Sequence, residues 1–474
     1  MHGCVAAPLA IRDPVKGVPP VTSTAGKATR IRLFHFDTPH MRAFHMAWIA
    51  FFLCFFAWFG IAPLMPVVRK ELQLSPAQVG NIVIASVAIT ILARLVIGWA
   101  CDRYGPRLTY GWLLVIGSLP VMGIGLARDY HTFLFFRLAI GAIGASFVIT
   151  QYHTSAMFAP NVVGTANATT AGWGNMGGGA AQVLMPLLFS GLVAAGASQF
   201  LSWRLAMVLP GALMLVTGVA YWLLTQDTPE GNFRVVRARQ REVDADGAPG
   251  IKRSAAGSFA AACRDYRVWA LALIYGACFG IEITIHNVAA LYFTDQFALG
   301  LKAAGMIVGA FGLLAIFARS LGGWVSDRVS LRRGIPGRLT FLGAALLAEG
   351  VLLILFSRSG SLPLAVAILI LFGLFVHVSC GATYAVIPFV NREAVGAVAG
   401  IVGAGGNVGA VLSGFLFRGS VAWPAALLLV GVLVIACSCL ALMVRFEPAV
   451  KSEDRDETEL PAGFADPEAS AVPA

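Results

Sequence analysis

The sequence predicts an all-α polytopic membrane protein with twelve transmembrane helices in two pseudo-symmetric halves of six. Three observations lead there. Of 474 residues, 58% are hydrophobic and only 12% charged, with a mean hydropathy of +0.78. A soluble domain carries about 25% charged residues, so a chain this long could not cover a water-facing surface. That excludes a soluble enzyme, a disordered scaffold and a disulfide-stapled secreted module. Second, twelve apolar stretches follow one another, each close to the roughly 20 residues a spanning helix needs. Hydrocarbon offers the backbone no water to bond, so segments this apolar must be helices. Third, the two halves repeat one another.

The stretches of the first half lie at about 44–67, 78–100, 108–127, 131–158, 164–195 and 203–225. Those of the second lie at about 268–293, 302–325, 338–357, 362–389, 395–417 and 421–445. This divides the chain into a polar tail (1–43), a six-helix bundle (44–225), a charged central loop (226–267), a second bundle (268–445) and an acidic tail (446–474). The first tail lacks the apolar core of a secretory signal. The last is rich in Pro and Ala and is expected to be disordered. With both termini on one side, that side receives 24 Lys and Arg and the other 7, while Arg94, Arg137 and Arg319 fall within spans. The positive-inside rule then places both termini in the cytoplasm. The net charge of +10 is therefore a topology signal rather than a nucleic-acid footprint. Eight scattered cysteines without a C-x-x-C pair point to no metal site and no disulfide framework. No cofactor is expected, and no nucleophile and base stand at a spacing that suggests an enzyme.

The string RLVIGWACDR beginning at Arg94 returns as RSLGGWVSDR beginning at Arg319, an offset of 225. Farther on, Tyr152, Gly164 and Asn175 return as Tyr384, Gly396 and Asn407, an offset of 232. Parallel repeats of this kind place a substrate site at the midplane between the halves. Arg94 and Arg319 are the leading candidates for it. An arginine at mid-span costs roughly 2.5–3.5 kcal/mol on insertion scales. Each lies eight residues before the Asp-Arg pair at its helix end, too deep to reach the interface easily. Structural pairing is limited, since only Glu282 and Glu349 are acidic within spans. Two planar forks at equivalent depth suit a small oxyanion gripped from both sides.

The Gly-rich stretches AGWGNMGGG (171–179) and GAGGNVGA (403–410) allow close helix packing. Within them Asn175 and Asn407 offer neutral donors, and the flanking Gly174 and Gly406 let backbone approach a ligand. Phe147, and the Tyr275 and Phe279 pair one turn apart, serve either as aromatic walls for a flat anion or as plain core. Glu282, with His286 four residues on, is first a counter-ion for Arg319 and second a proton-coupling candidate. Glu349 is expected to be peripheral, and His153 and His377 to be hydrogen-bonded core histidines. At the helix ends, Asp102, Arg103 and Arg107, and Asp327 and Arg328, are expected to form charge pairs that make and break during gating.

Residues 98–107 and 323–328 resemble the loop signature of the major facilitator superfamily. The two Gly-rich stretches resemble the paired signature motifs of its nitrate/nitrite porter family. SFVITQYHTSAMF (146–158), YGACFGIEITIHNVAALYF (275–293) and FGLLAIFARSLGGWVSD (311–327) are similar to the branch that holds the high-affinity nitrate transporters of plants and fungi. The likeness runs from about 44 to 445. It implies a major facilitator fold and transport of nitrate or nitrite by rocking-type alternating access, as proton symport or as nitrate/nitrite exchange. It also implies that Arg94 and Arg319 bind the anion, Asn175 and Asn407 support the site, and Phe147, Tyr275 and Phe279 stack on it. The alternatives are a transporter of another small inorganic or organic anion and a non-transporting nitrate sensor. The expected partners are nitrate or nitrite, protons and the lipid bilayer. A monomer is expected in the plasma membrane, or in the inner membrane of a bacterium.

Overall fold

A computed structural model describes residues 26–159, 162–236, 238, 255–391, 395–418 and 421–446. The tails up to residue 25 and from residue 447, and residues 237 and 239–254 of the central loop, lie outside the described residues. The first half comprises α1 (Pro39–Phe59), a short α2 (Met65–Glu71), α3 (Pro76–Tyr104), α4 (Pro106–Gly123), α5 (Tyr130–Gly141), α6 (Ser146–Met157), α7 (Val163–Ala194) and α8 (Gln199–Leu224). A short α9 (Ala255–Arg264) precedes the second half, which comprises α10 (Tyr266–Phe297), α11 (Leu301–Leu313), α12 (Ala315–Ser357), α13 (Leu362–Val386), α14 (Val395–Arg418) and α15 (Trp423–Met443). Helices α5 and α6 run on through a 3-10 turn as one span, Tyr130–Met157.

Among the described residues, eleven helical runs are long and apolar enough to cross a membrane. One of them, Leu301–Ser357, has 57 residues, far more than a bilayer accommodates. Gly334, with φ +61°, and Pro336 break it, so it supplies two spans and the total is twelve. The sequence sets the helix starts locally. Ser75 and Gln78 form a reciprocal capping box ahead of Pro76. Asp129 accepts from the backbone of His131 and Thr132, and these bonds, Thr132 first, hold its carboxyl below the ordinary range. Between α3 and α4, Gly105 turns at φ +91°, where a Cβ would lie 2.4 Å from Asp227 Oδ1. That buried carboxylate accepts from the Arg107 amide (2.8 Å) and the Phe233 amide (3.0 Å), tying the start of the central loop to α4.

Helices α1 and α10 form the centre: 83% of the most apolar window of each of their spans is buried, against 33–50% for the others. Leu92, Leu95, Val96 and Trp99 on α3 and Leu429, Val432 and Leu433 on α15 point outward, as a lipid-facing surface requires. The halves meet along α3 with α14 and α7 with α11. Small residues bring these backbones together. A Cβ on Gly179 would stand 2.6 Å from Gly312 C, and one on Gly305 would stand 2.2 Å from Gln182 O. Toward the side remote from the termini, a Cβ on Gly80 would stand 2.4 Å from Arg418 Cα. Gly98, Gly323 and Gly400, toward the terminal side, would meet nothing within 4 Å. The close glycine contacts between the halves thus lie at the midplane and on the side remote from the termini, the closed side.

Candidate anion-binding site

Arg94 from α3 and Arg319 from α12 converge on one aromatic ring. Their guanidinium carbons lie 5.9 Å and 5.5 Å from the centroid of Phe279. Arg94 also lies 5.7 Å from Phe147. Tyr275 stacks on Phe279 at 5.0 Å and 14°, and Tyr384 stands edge-on to both Tyr275 (5.1 Å) and Phe147 (5.8 Å). Both guanidiniums are thus buried against one group of aromatic rings. Tyr384 is the repeat mate of Tyr152. Its hydroxyl is buried beside Tyr275 and within electrostatic reach of both arginines.

The two arginines are held differently, and this breaks the pseudo-symmetry. Arg94 Nη1 donates to Gly403 O at 2.5 Å. The Asn407 amide, with its oxygen toward the guanidinium, accepts from Nε and Nη1 at 3.1 Å each. Both acceptors are neutral and belong to α14, across the interface. Among the described residues no carboxylate pairs with Arg94. Arg319 instead donates from Nη2 to Glu282 Oε2 at 2.5 Å, while its Nε is buried without a partner. Asn175, the mate of Asn407, turns back to donate to Ala171 O on its own helix at 2.8 Å, and its Oδ1 stays unpaired. With Glu282 ionised, two positive charges and one negative charge leave the cluster at +1.

The glycines of the two motifs act through closeness. A Cβ on Gly174 would stand 1.9 Å from the Phe51 ring, and one on Gly406 would stand 2.6 Å from Phe279 and 2.8 Å from Tyr275. Gly406 thus lets the aromatic pair lie flat against α14. Both residues sit inside helices, where amides are committed to the i→i−4 ladder.

His286 points its ring between Phe59 (4.9 Å) and Phe311 (5.3 Å), and its Nδ1 has no partner. The histidine that faces Glu282 is His377 from α13, with Nδ1 3.5 Å from Oε2. The available signal was spacing: His377 lies seven residues before Tyr384, two helical turns on the same face. His153 is a hydrogen-bonded core histidine, as expected, contacting Tyr221 Oη (2.6 Å) and Gln226 O (2.8 Å). Glu349, expected at the periphery, is instead fully buried, with Ser379 beside it. Arg137, the third arginine within a span, donates to Trp58 O (3.0 Å) and Asn287 Oδ1 (3.2 Å), joining the first half to α10.

Residues 47–403 match the Major Facilitator Superfamily. The "High affinity nitrate transporter 2.5" of Arabidopsis thaliana is 41% identical over 426 residues, covering 89% of this chain and 82% of that protein. This chain belongs to the nitrate/nitrite porter family of that superfamily. A nitrate/nitrite transporter, NrtP, from Nostoc punctiforme is 29% identical over 485 residues, covering 88% of the porter and 94% of its relative. Among solved structures, a bacterial homolog to the human lysosomal transporter Spinster in an inward-facing, unoccupied conformation has a TM-score of 0.65 at 17% identity. It covers 86% of this chain and 97% of its own, and shows the fold. The porter is an integral membrane protein.

In the porter, Arg107, Asp327 and Arg328 at the helix ends make contacts within their own half. Arg107 Nε and Nη2 donate to Trp222 O at 2.8 Å and 2.5 Å. Asp327 accepts from Arg338 at 2.5 Å, and Arg328 lies 4.8 Å from the Trp324 ring. Arg103 is at the exposed end of α3, and the Asp102 side chain lies outside the described residues. Among the described residues, one ion pair crosses between the halves. Arg69 donates twice to Asp295, at 2.6 Å for each bond, on the closed side. The side chains are 33% and 40% exposed, so the pair contributes about 0–1 kcal/mol. Asp295→Asn is therefore expected to widen that side only a few-fold in population, read as the distance distribution between spin labels flanking the two positions, with transport retained.

Proposed function

We propose that this porter carries nitrate and nitrite across the membrane by alternating exposure of the site between Arg94 and Arg319. The observation that carries the reading is the unbalanced charge of the cluster: of two buried guanidiniums, only Arg319 pairs with a carboxylate among the described residues, beside flat aromatic rings and the Tyr384 hydroxyl. One small monoanion brings the cluster to zero, which makes the loaded carrier the easier one to occlude in a low dielectric. Movement when loaded favours exchange of one anion for another. Net uptake against a negative-inside potential calls for co-transported protons as well. The halves rock about the α3/α14 and α7/α11 seams, whose small residues permit two packings. The chain works as a monomer in a plasma membrane, or the inner membrane of a bacterium, with both termini in the cytoplasm. The closed side is then the outer one.

Proteoliposomes containing the full chain test this with isotopically labelled nitrate. Internal nitrate or nitrite should accelerate labelled uptake, and excess acetate or lactate should not compete. Equal competition by a carboxylate would make it a transporter of another anion. Binding without flux would make it a sensor.

A further inference from the structure

We propose that Glu282 and His377 together form the proton-binding site that accompanies the anion, with Arg319 linking the two ligands. The proposal rests on the nitrate transport reading and adds the coupling group to it. The geometry around the imidazole carries it. His377 Nε2 lies 3.3 Å from the carbonyl of Phe311, which can only accept, so Nε2 carries a hydrogen. In a neutral ring Nδ1 then presents a lone pair, and 3.5 Å away it meets Glu282 Oε2, another lone pair. A single proton between Nδ1 and Oε2 turns that opposition into a charge-assisted hydrogen bond. His377 and Glu282 are both buried, and the proton belongs to the pair rather than to either residue.

The groups facing the pair are few. From α12 come Arg319, on the same Oε2, and, farther off, Glu349. From α13 comes the Cys380 thiol, 3.6 Å from Oε2, and from α10 His286, one turn beyond Glu282. Arg319 is also one of the two forks offered to the anion. An anion drawn onto Arg319 loosens its hold on Oε2 and adds negative charge nearby. Both effects strengthen proton binding at the pair, and by linkage a bound proton strengthens anion binding equally.

The charges show what the proton accomplishes. Arg94, Arg319 and ionised Glu282 leave the empty site at +1, and nitrate alone takes it to zero. With one proton on the pair, the nitrate-loaded site returns to +1, equal to the empty one. Loaded and empty carriers then cross on similar electrostatic terms, which converts an exchanger into a carrier capable of net uptake. Protonation adds one N–H to His377, and release on the other face restores the lone pair.

The test uses the full chain in proteoliposomes with a pH dye inside. Nitrate entry should acidify the lumen, and an inward proton gradient should stimulate uptake. In His377→Gln, whose amide can still donate to Phe311 O, the ratio of gradient-driven uptake to nitrate/nitrite counterflow should fall at least tenfold. A wild-type ratio in His377→Gln overturns the proposal, as does wild-type uptake that ignores the proton gradient. If His377→Gln proves inactive in both modes, nitrate binding to solubilised protein decides over roughly pH 5 to 8. Affinity should rise toward acid pH in the wild type and be flat in His377→Asn, and parallel curves overturn the assignment. Absence of counterflow in the wild type would instead remove the nitrate reading itself.

Discussion

Arg94→Lys is expected to weaken nitrate binding at least about a hundredfold while leaving the protein inserted and folded. A hydrogen bond to a charged partner contributes about 1.5–3 kcal/mol, and each 1.4 kcal/mol is a factor of about ten in affinity. An ammonium keeps the charge but cannot offer two coplanar N–H groups to a flat anion. At this position it also cannot hold Gly403 O and Asn407 while facing the ligand, because both contacts and the ligand depend on one rigid fork. Arg319→Lys should lose affinity to a similar extent, although the ammonium can still pair with Glu282. Calorimetric titration of solubilised protein with nitrate measures both. Unchanged affinity in the two variants would remove the arginines from the site.

The second large effect is expected far from any charge. Gly179→Val places a branched side chain where a Cβ already falls 2.6 Å from both Gly312 C and Leu313 N. Backbone on both sides cannot yield as a side-chain tip can. Overpacking of this kind costs typically 1–3 kcal/mol, and here it acts only on the closed packing of α7 against α11. Counterflow should fall more than tenfold, and spin labels flanking Arg69 and Asp295 should report a wider separation. Gly191→Val on the same helix is the control, because its Cβ would meet nothing within 4 Å. Equal loss in both variants would point to general damage to α7 rather than to blocked closure.

The span count, the two halves and the two arginines were legible because each leaves a pattern in one dimension. Apolar runs show as length, and the repeat shows as a fixed offset. A charge within a span shows by contrast with its surroundings. The departures from symmetry left no such trace. Asn175 and Asn407 look equivalent in sequence, yet only Asn407 reaches an arginine. Glu282 appears in one half alone, and nothing in the sequence separates its roles as counter-ion and proton carrier. An i, i+4 spacing makes His286 visible as its neighbour along one helix. The approach of α13 to α10 is tertiary and is not. Arg69 and Asp295 are 226 residues apart and belong to different halves, and nothing local marks either one as the other's partner.

The central claim is that a single small anion lies between Arg94 and Arg319. An experimental structure of the porter with nitrate bound tests it most directly. Planar density is expected within hydrogen-bonding distance of both guanidiniums and the Tyr384 hydroxyl, beside the Phe279 ring. Nitrate held elsewhere, with Arg94 still bonded only to Gly403 and Asn407, would contradict it.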